Sequence, residues 1–326
     1  MKKFLFKNSI YALIVIVATL GINTLYIYET KKVLGNSADF FGDVPDGIQI
    51  CNFGSSHGLY GFNYKDAEGK YTCFNFGLSS QYLEYDYKIL QYYRDKIQKG
   101  AVVFIPVSYF SFFGKPEYEE KSFASKNKRY YKFLPREMIT KYDWKTDLYV
   151  NYLPALSPEG LSTLAKLLLN IASSNDKAWE VTADPIKVNN DAKEAYERHI
   201  VSHYGSNCKR VRRHDAFEAL YGIIKLCHDI GVRPIMITVP YLKEYTDTVK
   251  TNDPEFFGDF YAVIDEIKRN TGIEYYDYAF DSRFCKNYKL FMNSDHLNRE
   301  GARLFTDILF REVLGIDVGR AEEYGL

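Results

Sequence analysis

Two short clusters hold the side chains best suited to chemistry. Gly54-Ser55-Ser56-His57-Gly58 follows at once on the run Ile48-Gln49-Ile50-Cys51-Asn52-Phe53, and Asn293-Ser294-Asp295-His296-Leu297-Asn298 stands near the carboxyl end. A serine hydroxyl becomes a useful nucleophile when a base takes its proton, a third group orients that base and donors face the developing oxyanion. Ser56 is the candidate nucleophile and His296 the candidate base, a pairing suited to ester hydrolysis or acyl transfer. Asn293 can orient the imidazole through its amide oxygen but cannot neutralise an imidazolium. Asp295 carries the charge, yet needs an unusual backbone turn to reach its neighbour's ring. Asn298 is a good N-cap for a helix carrying Leu304, Phe305, Ile308 and Leu309.

These clusters can meet only if the fold between them brings them together. Five apolar runs read as buried parallel strands: Ile48 to Phe53, Thr72 to Phe76, Ala101 to Val107, Arg233 to Val239 and Ile273 to Tyr278. Helical spacing separates them, with Tyr82, Tyr85, Ile89, Leu90, Tyr93 and Ile97 before the third run and Phe217, Leu220, Ile223, Ile224 and Cys227 before the fourth. The alternation predicts a doubly wound α/β domain, whose strand ends open onto one crevice. Asp253-Pro254 starts a further helix that Gly272 ends. From about Gly114 to Ser206 the pattern breaks off in an insertion with one clear helix signal, where Ser157 caps, Pro158 starts, and Leu161, Leu164, Leu167, Leu168 and Ile171 form the apolar face.

Ahead of the first strand, Asn8 to Tyr28 is an uncharged stretch preceded by Lys2, Lys3 and Lys7. As a helix, Ile10 to Tyr28 spans about 28 Å, enough to cross a hydrocarbon core. No small-x-small cleavage site follows it, and Tyr11, Tyr26 and Tyr28 sit where interfacial aromatics would. The expected organisation is a cytoplasmic tail at 1–8, a transmembrane anchor at 9–29, a stalk at 30–46 and an α/β domain at 47–326 with its insertion at about 114–206. The globular part is then expected outside the cytoplasm. Net charge over 326 residues is zero, and setting aside the five lysines and one glutamate around the anchor leaves minus four, which points away from nucleic acid as a partner. Five cysteines, at 51, 73, 208, 227 and 285, show no metal spacing and cannot all pair.

Gly54-Ser55-Ser56-His57-Gly58 formally satisfies the GxSxG elbow of α/β-hydrolases, but that elbow follows several strands and here none precedes it. A nucleophile at the end of the first strand instead resembles the SGNH/GDSL hydrolase superfamily. Ser56 takes the catalytic place of its first block, and Gly77, in Asn75-Phe76-Gly77-Leu78-Ser79, matches the glycine amide of its second. The resemblance covers Ile48 to Ser79 and the stretch from Phe291, and implies a three-layer fold, an oxyanion hole from the Ser56 and Gly77 amides, and no cofactor. The third block usually offers an Asn after strand three, where this chain has Ser108, a candidate substrate-binding residue together with His57. The last block usually reads Asp-x-x-His, and here Asn293 stands three before His296.

An amino-terminal span followed by GSSH, NFG and DHLN looks most like the membrane-anchored branch that includes teichoic acid D-alanyl-transfer proteins and alginate-type O-acetyltransferases. That branch implies a cell-surface glycan or teichoic-acid-like polymer as substrate, and a multi-span membrane O-acyltransferase as partner. The alternative is a non-catalytic SGNH-like protein that binds polymer or scaffolds a surface-glycan complex. His199 and His203, four apart, lack an evident third metal ligand and read as a surface pair. The tyrosines at 82, 85 and 93 read as helix packing.

Overall fold

The computed structural model describes residues 1–34, 44–116, 119, 121–169, 179–204 and 209–318. They form two compact units, one made of 1–43 with 124–177 and the other of 44–123 with 178–326. The insertion expected over 114–206 is therefore divided. Its middle belongs with the amino-terminal helix, and its two ends belong to the α/β unit.

In the α/β unit all five expected strands form. They are β1 (Ile48–Asn52), β2 (Cys73–Asn75), β3 (Ile97–Pro106), β4 (Arg233–Thr238) and β5 (Glu274–Asp277). All pair parallel, in the order β2-β1-β3-β4-β5. The third strand begins at Ile97, earlier than its apolar run suggests. Ile97 pairs with Ile48, and the register shifts before Val102 pairs with Ile50, so exposed Gln98 to Gly100 lie in an irregular stretch. Apolar side chains fill the interior, among them Phe53, Phe76, Phe104, Ile235, Met236 and Phe305, all fully buried. The chain leaves β1 for β2 on one side and returns for β3 on the other. Strand order thus reverses at β1, where a crevice opens beyond the strand ends.

Four of the helices that position the site follow the expected periodicity, and three, at 56–61, 188–199 and 243–252, add to it. α2 (Ser56–Gly61) leaves β1 at once, α3 (Leu83–Tyr93) precedes β3, and α6 (His214–Asp229) precedes β4 and packs on α3. α5 (Val188–His199) packs against α7 (Lys243–Asn252). α8 (Phe256–Thr271) ends at Gly272, whose φ of 69° is the left-handed conformation of a helix stop. α9 (Arg299–Leu309) is capped as expected, Asn298 Oδ1 accepting from the Gly301 amide at 3.0 Å.

The other unit contains α1 (Lys2–Leu34), within which Phe6–Thr30 is long and apolar enough to cross a membrane. Residues 35–43 of the expected stalk lie outside the described residues. α4 (Gly160–Leu168) is shorter than expected at both ends. Ser157 does not cap it. The Ser157 hydroxyl donates to Pro154 O at 2.9 Å, its carbonyl accepts from the Gly160 amide, and the helix begins only there. Ile171 lies outside the described residues. Cys51, Cys73, Cys227 and Cys285 are free thiols, and Cys208 lies outside the described residues.

Candidate active site

Two glycines explain how a serine can stand at the end of β1. Gly54 has a φ of 106°, which an L side chain rarely adopts, and a Cβ there would lie 3.2 Å from the Pro106 side chain at the end of β3. Gly58 passes so near the strand that a Cβ would lie 2.1 Å from Phe53 O. Between them Ser55 caps α2, leaving Ser56 as the first helical residue. A first helical amide has no acceptor within its own helix.

A buried amide network fixes this loop. Asn52 Nδ2 donates to Gly58 O at 3.0 Å and to Asn75 Oδ1 at 2.9 Å, while the Tyr64 hydroxyl donates to Asn52 Oδ1 at 3.0 Å. Asn52 is fully buried. Replacing it with Leu is expected to lower unfolding free energy by about 2–3 kcal/mol, because the Phe53 carbonyl and the Tyr64 hydroxyl lose their partner in the interior. Urea titration of the two proteins measures the difference.

The structure brings Ser56 and His296 together across 240 residues of chain. Ser56 Oγ lies 2.8 Å from His296 Nε2, and both residues are partly exposed and reachable. The ring's other nitrogen, Nδ1, lies 3.2 Å from Asn293 Oδ1 and 3.3 Å from Asp295 Oδ2. The unusual turn that Asp295 required is present. Asn293 Oδ1 accepts from the backbone amides of both Asp295 at 3.2 Å and His296 at 2.9 Å, and this tight loop turns the Asp295 carboxylate back toward its neighbour's ring. With Nδ1–H facing these acceptors, Nε2 is left to accept the Ser56 proton.

Asp295 is buried and shared. His57 Nε2 lies 3.3 Å from the same Oδ2, His199 Nδ1 lies 3.7 Å from it, and an Arg198 guanidinium nitrogen lies 3.8 Å from Oδ1. Burial alone would raise the Asp295 pKa, but the imidazoles of His296, His57 and His199 outweigh it and hold the carboxyl well below its usual range. Burial pushes His57 down to about 4 against the pull of Asp295, and pushes His199 well below the ordinary imidazole range. His57 is thus neutral near pH 7, donating from Nε2 to Asp295 and accepting at Nδ1 from the Ser108 hydroxyl at 2.7 Å. The Tyr241 hydroxyl lies 3.3 Å from the same Nδ1.

Three sequence readings change here. His57 and Ser108, read as substrate-binding, are each 2% exposed and hydrogen-bonded to one another behind Asp295. The Gly77 amide, read as an oxyanion donor, donates to Asn75 Oδ1 at 2.8 Å. His199 is no surface residue. It ends α5 facing Asp295, with the Tyr245 hydroxyl at 3.1 Å, while His203 lies beyond in a separate turn beside Phe110. Sequence reading passed over His199 and Arg198 as partners of the acid, and Tyr241 as a partner of His57. It also passed over Tyr60, whose ring stands 5.8 Å from His296, and Trp179, 6.1 Å from Tyr60.

No family model and no curated protein matches the chain. The site must therefore be read from its own chemistry. His57, His199 and Asp295 place donor atoms within 4.8 Å of one another, close enough to hold a metal ion. An ion there would draw on Asp295 Oδ2, the oxygen that also lies 3.3 Å from His296 Nδ1.

Proposed function

We propose that the protein is a serine-dependent acyltransferase or esterase of SGNH type, with Ser56 as nucleophile, His296 as base and Asp295 as the group that orients it. The observation carrying this reading is the 2.8 Å approach of Ser56 Oγ to His296 Nε2, with a buried carboxylate behind the ring. The Ser56 hydroxyl attacks an ester carbonyl, His296 takes its proton and returns it to the leaving alkoxide, and an acyl-Ser56 ester remains. Water or a sugar hydroxyl, deprotonated by the same imidazole, then releases the acyl group. The Ser56 amide is the donor best placed to meet the oxyanion.

The substrate we infer is an O-acyl group, acetyl or similar, on a cell-surface polysaccharide or teichoic-acid-like polymer. Tyr60 beside His296, and Trp179 next to Tyr60 with Arg299 over one face of its ring, offer aromatic surface of the kind sugars stack on. In this reading Phe6–Thr30 spans the cell membrane, the α/β unit lies outside the cytoplasm in a three-layer SGNH fold, and a multi-span O-acyltransferase supplies the acyl group. One observation favours a second reading, a polymer-binding or scaffolding protein without turnover: the Gly77 amide is engaged by Asn75, which leaves the oxyanion with fewer donors.

Intact-mass analysis of the full-length protein after exposure to a fluorophosphonate decides between them. A single adduct, absent in Ser56→Ala and in His296→Ala, is the expected result. No adduct on folded wild-type protein would favour the binding role.

A further inference from the structure

In the unit that contains α1, residues 124–169 pack around the carboxyl-terminal half of that helix. α4 and the turn Pro154–Leu156 lie against it. Asn23, a buried amide within the apolar stretch, donates to Tyr152 O at 2.9 Å and accepts from the Ala155 amide at 3.2 Å. A polar side chain in a membrane segment needs such partners. Asn23 precedes Thr30, the end of the stretch, by about 10 Å of helix. If Phe6–Thr30 crosses a membrane, as proposed above, the chain that satisfies Asn23 sits at the boundary between headgroups and acyl chains. Tyr152, Leu156, Leu161, Leu168 and Leu169 are exposed on the same segment, where an acyl boundary would cover them.

Beside these residues a cavity of about 510 Å³ opens against Tyr26, Ile27 and Thr30 of α1. Its polar wall carries Lys128, Arg129, Lys132 and Lys145. Two acids also line it. Glu159 lies 3.4 Å from Lys128, and Asp143 accepts from the Thr146 amide and hydroxyl, so the wall keeps a net positive charge. Cations at the end of a membrane helix, above an apolar wall, match an anionic headgroup with its chains directed down the helix.

We propose that this cavity binds the phosphate headgroup of an anionic membrane lipid. The proposal rests on the reading of α1 as a membrane span. The test is native mass spectrometry of the full-length protein in detergent, titrated with phosphatidylglycerol, phosphatidylcholine or inorganic phosphate. Phosphatidylglycerol should bind best, and Lys132→Glu with Lys145→Glu should weaken it about thirtyfold. Both lysines are exposed, so these changes leave packing intact, which circular dichroism checks. Equal binding by wild type and the double variant overturns the proposal, as does equal binding of the two lipids. Inorganic phosphate binding as tightly as phosphatidylglycerol would mean that the cavity reads phosphate alone, and would overturn the lipid assignment. Alkaline carbonate extraction of membranes separates the two readings. Release of the protein removes the span itself, whereas retention without lipid preference removes only the lipid site.

Discussion

Asp295→Asn should slow fluorophosphonate labelling of Ser56 by about 10⁴-fold, whereas Asn293→Ala should cost about tenfold. Both side chains reach His296 Nδ1 at nearly the same distance, so geometry alone does not rank them. Charge does. When Ser56 loses its proton the ring becomes an imidazolium, which a buried carboxylate stabilises and an amide oxygen does not. An amide at position 295 can also turn its NH₂ toward the rings and favour the tautomer that cannot accept from Ser56. Asn293 instead shapes the turn, through the two backbone amides it accepts from. The fold should tolerate Asp295→Asn, because burial keeps His57 and His199 neutral and the one cation described beside the carboxylate, Arg198, is more than half exposed to solvent. Time-resolved intact mass gives the rates and circular dichroism the fold. The opposite order of effects would make Asn293 the orienting group.

The second large effect is on stability against pH. Asp86 is buried, and burial raises its carboxyl pKa to about 7, although the Gly54 amide at 2.9 Å and the Gln81 amide at 2.7 Å both favour the charged form. Its proton is therefore held more tightly in the folded chain than in the unfolded one. This contribution is fully present below about pH 4 and is lost as pH rises toward 7, amounting to as much as about 4 kcal/mol. His57 and His199 act in the opposite sense. Their pKa values are depressed on folding, so stability falls as pH drops below about 6.5 and the unfolded chain takes up their protons. The wild-type curve mixes the two, and the variant separates them. Asp86→Asn keeps an acceptor for Gly54 and Gln81 but cannot ionise, so its stability relative to wild type should climb steadily from pH 4 to 7 in urea titrations. A constant difference would show that Asp86 is not protonated in the folded state.

The three central strands were legible because a parallel strand buried on both faces must be a short apolar run, and the half-buried edge strands β2 and β5 were legible from their place between helical spacings. Their ends were less so. β3 starts at Ile97 because Ile97 pairs with Ile48, a tertiary contact that the helix-like spacing from Tyr82 concealed. Ser56 and His296 were legible as residue types at strand and helix ends. The setting of Asp295 was not. His199 ends a largely polar helix with nothing local to show that it faces inward, and its place is set by packing of α5 on α7. His57 looked like a pocket residue because it adjoins the nucleophile, yet on a helix successive side chains diverge by about 100°, which turns it from the mouth toward the acid. Asn75 carried no sign that its oxygen would engage the Gly77 amide.

The site is a clasp between two dipeptides, Ser56-His57 and Asp295-His296, held by the bonds Ser56 to His296 and His57 to Asp295. Neither pair is complete without the other, and 240 residues of chain separate Ser56 from His296. A growing polypeptide therefore carries Ser56 with no His296 beside it until those 240 residues have been made. The proposed pair of Ser56 and His296 assembles only when residues 293–309 have emerged and the Asn298-capped helix has docked against α2. Under the proposed mechanism, a chain cut short before His296 would leave Ser56 without its base.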